Sequence, residues 1–144
     1  IDSKYNKGDF LEWQEACGGV FVKALRSLSV RFMCISLYLL QSKPEITCDH
    51  KVLMSDVCET LGNIYFSELM ASQNYGWPMH VMTTSRKRTL AIAAKSCYQA
   101  SIKHADDSLR EEDDINDHST WDLQFMVGKC HEKIAATFDQ EEFS

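Results

Sequence analysis

The chain has 144 residues, of which 44% are hydrophobic and 25% are charged. This balance is that of a globular domain, and it excludes wholesale disorder. The formal net charge of −6 argues against direct nucleic-acid binding, because a protein needs a basic face to neutralise phosphates. Only 2 Pro and 6 Gly interrupt the chain, which favours long helices.

The cysteines predict reduced thiols rather than disulfides. They are widely spaced, and most fall on apolar faces of predicted helices: Cys17, Cys34, Cys48, Cys58, Cys97 and Cys130. Free cysteine behaves as a small buried hydrophobe, and reduced thiols are typical of an intracellular protein. No Cys-x-x-Cys pair occurs, so the sequence predicts no metal site. The start at Ile1 without a methionine and without a signal-peptide pattern suggests a fragment of a longer protein.

Apolar residues at helical spacing predict a first helix from Phe10 to Gln41, with Asp9 as its N-cap. Gly18-Gly19 either kink this helix or divide it into two. Beyond Leu28 nearly every face is apolar, so we expect that half to be covered from more than one side. The most apolar run, from Leu28 to Leu40, is too short for a membrane span and contains Arg31, so we predict a buried helix instead.

The stretch CETLGNIYFSEL, residues 58–69, is the strongest local pattern. It lies in a second helix predicted from His50 to Ser72, with Thr47 or Asp49 as its N-cap. Its key positions have the spacing by which tetratricopeptide (TPR) repeats pack their first helix against the second: Leu61, Gly62 and Tyr65. A glycine inside a helix costs about 1 kcal/mol relative to alanine. We therefore expect a neighbouring helix that approaches too closely for a Cβ atom.

A loop of about ten residues, in which Tyr75, Trp77 and Met79 fold back onto the helices, should lead to a third helix. This helix is predicted from residues 83–85 to His104. Its small, aromatic and small positions match the second helix of a TPR repeat: Ala94, Tyr98 and Ser101. Relative to a regular repeat, roughly 20 residues are inserted, which repeat proteins tolerate between helices.

Two charged clusters are candidate partner-binding sites. The acidic run DDSLREEDDIND, residues 106–117, predicts a solvated, mobile loop. Within it, Glu111, Glu112, Asp113 and Asp114 could attract a basic partner such as a histone, and an ordinary charged insertion is the alternative. Arg86, Lys87 and Arg88 lie at a helix start, where positive charge opposes the helix dipole. They could bind an acidic segment or serve nuclear import, and a solvated helix end is the alternative.

The last predicted helix begins with Ser119 or Thr120 as its N-cap. Its apolar residues form two stripes along the helix: Trp121, Leu123, Phe125, Met126, Val127, Gly128, Cys130 and Ile134. Gly128 falls where Gly62 stands in the second helix, so the sequence predicts the same close packing there.

The stretch WDLQFMVGKCHEKI, residues 121–134, resembles the calcineurin-binding Cabin family. The family segment is a hydrophobic helix of the form Met-x-Gly-Lys-x-x-Glu-Lys, and the matching residues are Met126, Gly128, Lys129, Glu132 and Lys133. Residues 59–72 and 90–108 are similar to the repeat that precedes this segment. The resemblance implies a large TPR-like subunit of the HIR histone-chaperone complex, a nuclear scaffold for nucleosome assembly without catalytic activity. Its partners would be chaperone-complex subunits and histones.

The sequence thus predicts one all-α domain, residues 1–144, built of antiparallel helical hairpins as a TPR-like helical repeat with long inter-helix insertions. Its five histidines are scattered without a nucleophile elbow, so no catalytic, cofactor-binding or metal residue is predicted. The alternative to a histone-chaperone scaffold is a cytoplasmic TPR-type adaptor for a partner peptide, which basic residues in the groove would favour. A helical enzyme or ligand carrier would need a closed apolar cavity with a convergent polar group. Glu59 and Met126 stand where the TPR two-carboxylate clamp needs Lys and Asn, although Asn63 fits.

Overall fold

The computed structural model describes the backbone of residues 7–74, 83–111 and 118–142, and the side chains of residues 23–70, 83–111 and 120–138. These residues form four α-helices: α1 (Lys7–Gln41), α2 (Cys48–Asn74), α3 (Thr84–Glu111) and α4 (His118–Glu142). No strand occurs in the described ranges, so the predicted all-α class is confirmed. The predicted fold-back of the loop at Tyr75, Trp77 and Met79 lies outside the described residues.

The helix ends follow local side-chain chemistry. Helix α2 is capped by Thr47, whose Oγ1 accepts a hydrogen bond from the His50 amide at 3.3 Å, while the Thr47 amide donates to His50 Nδ1 at 3.1 Å. This is a reciprocal capping box in which histidine takes the place of glutamate. Thr83 caps α3 by accepting a hydrogen bond from the Arg86 amide at 3.1 Å.

Helix α1 continues through its paired glycines, Gly18 and Gly19, without a break. The predicted cap of α4 is wrong, because that helix begins at His118 and so includes Ser119 and Thr120.

Helices α2 and α3 form a central antiparallel hairpin. Lys51 near the start of α2 pairs with Glu111 at the end of α3, and the other ends are joined by Arg86 Nη2 and Glu68 Oε1 at 3.1 Å. Helix α4 runs antiparallel along α3, since the Lys95 ammonium lies 4.2 Å from the centre of the Phe138 ring. Helices α2 and α4 both pack on α3 and touch one another only slightly, and α1 packs chiefly on α2.

Helix α3 is the centre of the core. Its buried residues recur at three- and four-residue spacing and are mostly small: Leu90, Ala91, Ala94, Tyr98, Ser101, Ala105 and Ser108. The neighbours that close the core are Met54, Cys58, Leu61 and Leu69 on α2 and Leu123, Met126 and Cys130 on α4. Small side chains on the middle helix allow two neighbouring helices to approach it closely.

The predicted end of the third helix at His104 is wrong. Helix α3 continues to Glu111, so residues 106–111 are helical rather than a mobile loop. The reason is that Ala105 and Ser108 prolong the buried face, and Ser108 Oγ donates to the Cys48 carbonyl at 3.4 Å. The acidic residues of this stretch occupy the other faces of an ordered helix. Glu112, Asp113 and Asp114 lie outside the described residues.

The second half of α1 is covered on one side only, which corrects the expectation of burial from several sides. Phe32 and Tyr38 remain 64% and 70% exposed, whereas Met33 and Leu37 are half-buried. The cause is that α2 is the main neighbour of this helix and covers a single face. Within the part of the chain described, none of the helices has the length and hydrophobicity needed to cross a bilayer.

The described cysteines are reduced thiols in contrasting surroundings: Cys34, Cys48, Cys58, Cys97 and Cys130. Cys34 is exposed and Cys58 is buried. Burial raises the pKa of Cys58 and of Cys97 from the ordinary 9.0 to about 11. Because the thiolate is the reactive form, both thiols are doubly protected, by poor access and by remaining protonated near neutral pH.

We expect iodoacetamide at pH 8 to modify Cys34 in the native protein well before Cys58 and Cys97. Mass spectrometry of peptides from a time course of alkylation gives the three rates separately. In guanidinium chloride the three rates should become equal, which provides the internal control. Equal rates in the native protein would contradict the burial of Cys58 on α2 and the partial burial of Cys97 on α3.

Candidate binding groove

A groove opens between α2 and α4, with α3 as its floor. Its volume is about 270 Å³. The residues that line it are Glu59, Asn63, Phe66 and Ser67 on α2, Tyr98 on α3, and Lys129, Cys130 and Lys133 on α4. Asn63, Ser67 and Lys129 are exposed, so the groove is open to solvent, whereas Tyr98 and Cys130 are buried.

The floor of the groove depends on Gly62. A Cβ atom at this position would lie 2.7 Å from Cε1 and 2.8 Å from Cδ1 of Tyr98. Only glycine therefore lets the Tyr98 ring approach the backbone of α2 this closely. The Tyr98 hydroxyl donates a hydrogen bond to Asn63 Oδ1 at 2.6 Å, which orients the Asn63 amide at the rim. Burial raises the pKa of Tyr98 and keeps its hydroxyl a donor.

Two buried serines hold α2 and α3 together beneath the groove. Ser55 Oγ donates to the Ser101 carbonyl and Ser101 Oγ donates to the Ser55 carbonyl, each at 2.8 Å. The two hydroxyl oxygens are 3.1 Å apart. Cys130 Sγ on α4 lies 3.8 Å from Ser101 Oγ and donates to it. This reciprocal pair, together with Cys130, sets the separation of all three helices that form the groove.

The rim of the groove on α4 is basic. The Lys133 ammonium lies 4.4 Å from the centre of the Phe66 ring, and the Lys129 ammonium lies 4.8 Å from that of Phe125. Among the described residues, neither ammonium has a carboxylate within ion-pair distance. Glu59 is the one acidic residue in the lining. The rim thus offers two cations and an oriented amide to a ligand that carries acidic or carbonyl oxygens.

The predicted repeat positions are divided between the core and the surface. Leu61, Ala94 and Met126 are buried, Tyr65 is half-buried, and Trp121 is 62% exposed.

The close packing expected at Gly128 is wrong. A Cβ atom there would meet no side chain and no neighbouring helix of the described residues within 4 Å, because this glycine lies on the outward face of α4. Gly62 and Gly128 occupy similar sequence contexts but different environments.

The basic cluster and Glu111, the one described residue of the acidic cluster, lie at opposite ends of α3 and do not line the groove. In the basic cluster Arg86 pairs with Glu68, Lys87 is half-buried and Arg88 is exposed. At the other end Glu111 accepts hydrogen bonds from Lys51 and, at 3.3 Å, from Cys48 Sγ. The Lys51 ammonium holds the pKa of Glu111 below its ordinary value, so this carboxylate stabilises the hairpin end.

Sequence reasoning did not predict Phe66 as a site residue, and it named Lys129 and Lys133 only through a family resemblance. The four-residue spacing of Lys129 and Lys133 was the one signal in the sequence, because residues four apart lie on the same face of a helix. The spacing alone could not show that this face meets Asn63 and Tyr98.

Among the described residues, no three or more His, Cys, Asp or Glu side chains lie close enough together to bind a metal ion.

No family model matches this chain, and searches of curated proteins and of solved structures give no match.

Proposed function

We propose that this chain is a non-catalytic protein-interaction module whose groove binds an extended acidic segment of a partner protein. The observation that carries the proposal is the pair of ammonium groups at the rim, Lys129 and Lys133, which lie beside aromatic rings without a carboxylate partner among the described residues. Ammonium groups bind carboxylates as point charges, and the attraction is strongest where the surroundings are partly desolvated.

The size of the groove favours a peptide over an enclosed small molecule. At about 270 Å³ it lies below the roughly 300–1,000 Å³ of typical small-molecule pockets. It can receive one or two side chains of a segment that continues along the surface. The Asn63 amide, held by Tyr98, is placed to donate to a backbone carbonyl of that segment. These features favour an adaptor that binds a partner peptide, which was the alternative function predicted from the sequence. Basic residues in the groove were the feature expected of such an adaptor.

Fluorescence anisotropy with labelled peptides tests the proposal. A short extended peptide rich in Asp and Glu around one aromatic residue should bind, and its Asn/Gln counterpart should bind at least about tenfold more weakly. The double substitution Lys129→Gln with Lys133→Gln should weaken binding of the acidic peptide by about tenfold, which corresponds to about 1.4 kcal/mol. Added salt should weaken the wild-type complex because exposed charges are screened.

Two further variants serve as controls. Lys103→Gln removes the same charge from an exposed position of α3 outside the groove and should leave affinity nearly unchanged. Glu59→Gln removes the acidic residue of the lining and should strengthen binding. Equal affinities for the acidic and neutral peptides, or equal effects of the groove and Lys103 variants, would refute the proposal.

The resemblance to the Cabin family leads to a more specific proposal for the partner. The acidic segment in the groove would belong to another subunit of a nuclear histone-chaperone complex or to a histone. The chain would act as a scaffold in nucleosome assembly. Co-purification of the full-length protein tests this setting. A bound fraction without histone-chaperone subunits would remove it, while the peptide measurements would still decide on the groove.

A further inference from the structure

A second surface, which shares no residue with the groove, is formed by the outward side of α1. Five large apolar side chains there are 46–64% exposed: Leu25, Leu28, Phe32, Ile35 and Leu39. Together they present on the order of 500 Å² of apolar surface, which is the size of the largest patches on typical monomers, and such patches are often functional. We call these five residues the α1 stripe.

The spacing of the α1 stripe identifies the shape of its ligand. The intervals between its members are three, four, three and four residues. This is the 3.5-residue period of a coiled-coil seam, in which apolar residues occupy positions a and d. The stripe extends for about 21 Å along the axis, at 1.5 Å per residue. A second helix of about four turns fits such a seam through knobs-into-holes packing.

Charge selects among the helices that could fit. Residues 23–41 contain Lys23, Arg26 and Arg31 and no acidic residue, whereas the whole chain has a net charge of −6. Arg31 directly precedes Phe32 and so lies at a position that flanks the coiled-coil seam. At such positions, a charge opposite to that of the partner helix determines which helix binds. Among the described residues, none of these three cations is ion-paired. A symmetric pair of α1 helices would place the cations of both copies along one seam without a carboxylate between them.

We propose that the α1 stripe is a docking site for an amphipathic helix of a partner protein, with apolar residues at heptad spacing and acidic residues on its flanks. This surface is independent of the groove, because the residues of the α1 stripe and those that line the groove are on different helices. One partner could therefore occupy both surfaces with two segments, or two partners could bind together.

A designed helical peptide tests the proposal with the intact chain. The probe has two heptads, about four turns, with Leu at positions a and d and Glu at positions e and g, and its counterpart has Lys at e and g. Titration followed by fluorescence anisotropy of the labelled probe should show binding of the Glu peptide and at least tenfold weaker binding of the Lys peptide. Phe32→Gln with Ile35→Gln should abolish binding, and Arg31→Glu should weaken it about tenfold.

Controls separate docking from folding and from self-association. Leu53→Gln removes an exposed leucine of α2 and should leave binding unchanged, and circular dichroism should show unchanged helix content in every variant. Lys129→Gln with Lys133→Gln should also have no effect, which keeps this result distinct from that of the groove. The proposal is overturned if both peptides bind equally, if neither binds, or if sedimentation shows a dimer that Phe32→Gln dissociates.

Discussion

Replacing Gly62 by alanine should destabilise the protein, although alanine is the better helix former. Helix propensity alone predicts a gain of about 1 kcal/mol. The added Cβ, however, would lie 2.7 Å from the Tyr98 ring, which is completely buried and hydrogen-bonded to Asn63. The ring cannot swing away like the end of a flexible side chain, so α2 and α3 must move apart, at a typical cost of about 1–3 kcal/mol for overpacking. We expect a net loss of up to about 2 kcal/mol in the free energy of unfolding, measured by chemical denaturation.

Gly128→Ala is the matched control for this variant. It makes the same substitution inside a helix, at a position where the new Cβ meets no atom within 4 Å. It should stabilise the protein by up to about 1 kcal/mol. Opposite signs for the two variants are the expected result. Stabilisation in both cases would mean that the Tyr98 ring does not lie against the backbone of α2.

Ser101→Val should destabilise the protein even more than Gly62→Ala does. Ser101 is completely buried between α2 and α4, and its hydroxyl donates to the Ser55 carbonyl at 2.8 Å. Valine removes that hydrogen bond, worth about 1 kcal/mol, and adds a methyl group where the helices are closest, which costs about 1–3 kcal/mol. A total loss of about 2–4 kcal/mol should appear in equilibrium denaturation.

A double-mutant cycle distinguishes the hydrogen bonds from the packing. Ser55→Ala and Ser101→Ala should each cost about 1 kcal/mol, and the double variant should cost nearly their sum, because each hydroxyl donates to a main-chain carbonyl that the other substitution leaves in place. Ser96→Val, at an exposed position of α3, has the same helix propensity change as Ser101→Val and should cost well under 1 kcal/mol. Alanine variants that unfold with the same free energy as the wild type would argue against the reciprocal hydrogen bonds.

Residues near Gly62 illustrate what the sequence could predict. A glycine inside a strongly helical stretch indicates a close neighbour, because nothing local explains its cost. The small, aromatic and small residues at 94, 98 and 101 likewise indicated the face of α3 that is buried. Thr47 was one of two N-cap candidates, and the choice between them required the position of the His50 ring.

The same reasoning was misleading where an environment depends on distant parts of the chain. The flanking residues of Gly128 are like those of Gly62, but a sequence pattern cannot show that no described residue packs against Gly128 on the outer side of α4. The acidic residues after Asp106 suggested a loop because like charges repel, and the buried small face at Ala105 and Ser108 outweighed that repulsion. The groove joins residues of three helices, so no local pattern contains it.

The one-sided covering of α1 has a consequence for the order in which the molecule opens. Local unfolding begins where few apolar contacts oppose it, and the described half of α1 rests mainly on α2 while α2, α3 and α4 share the buried core. Residues 23–41 of α1 can therefore detach while the described core of the other three helices remains folded. A ligand bound to the outward face of α1 would raise the free energy of that detachment by mass action. Hydrogen exchange would then show slower exchange of the backbone amides of α1, which exchange early in the free protein.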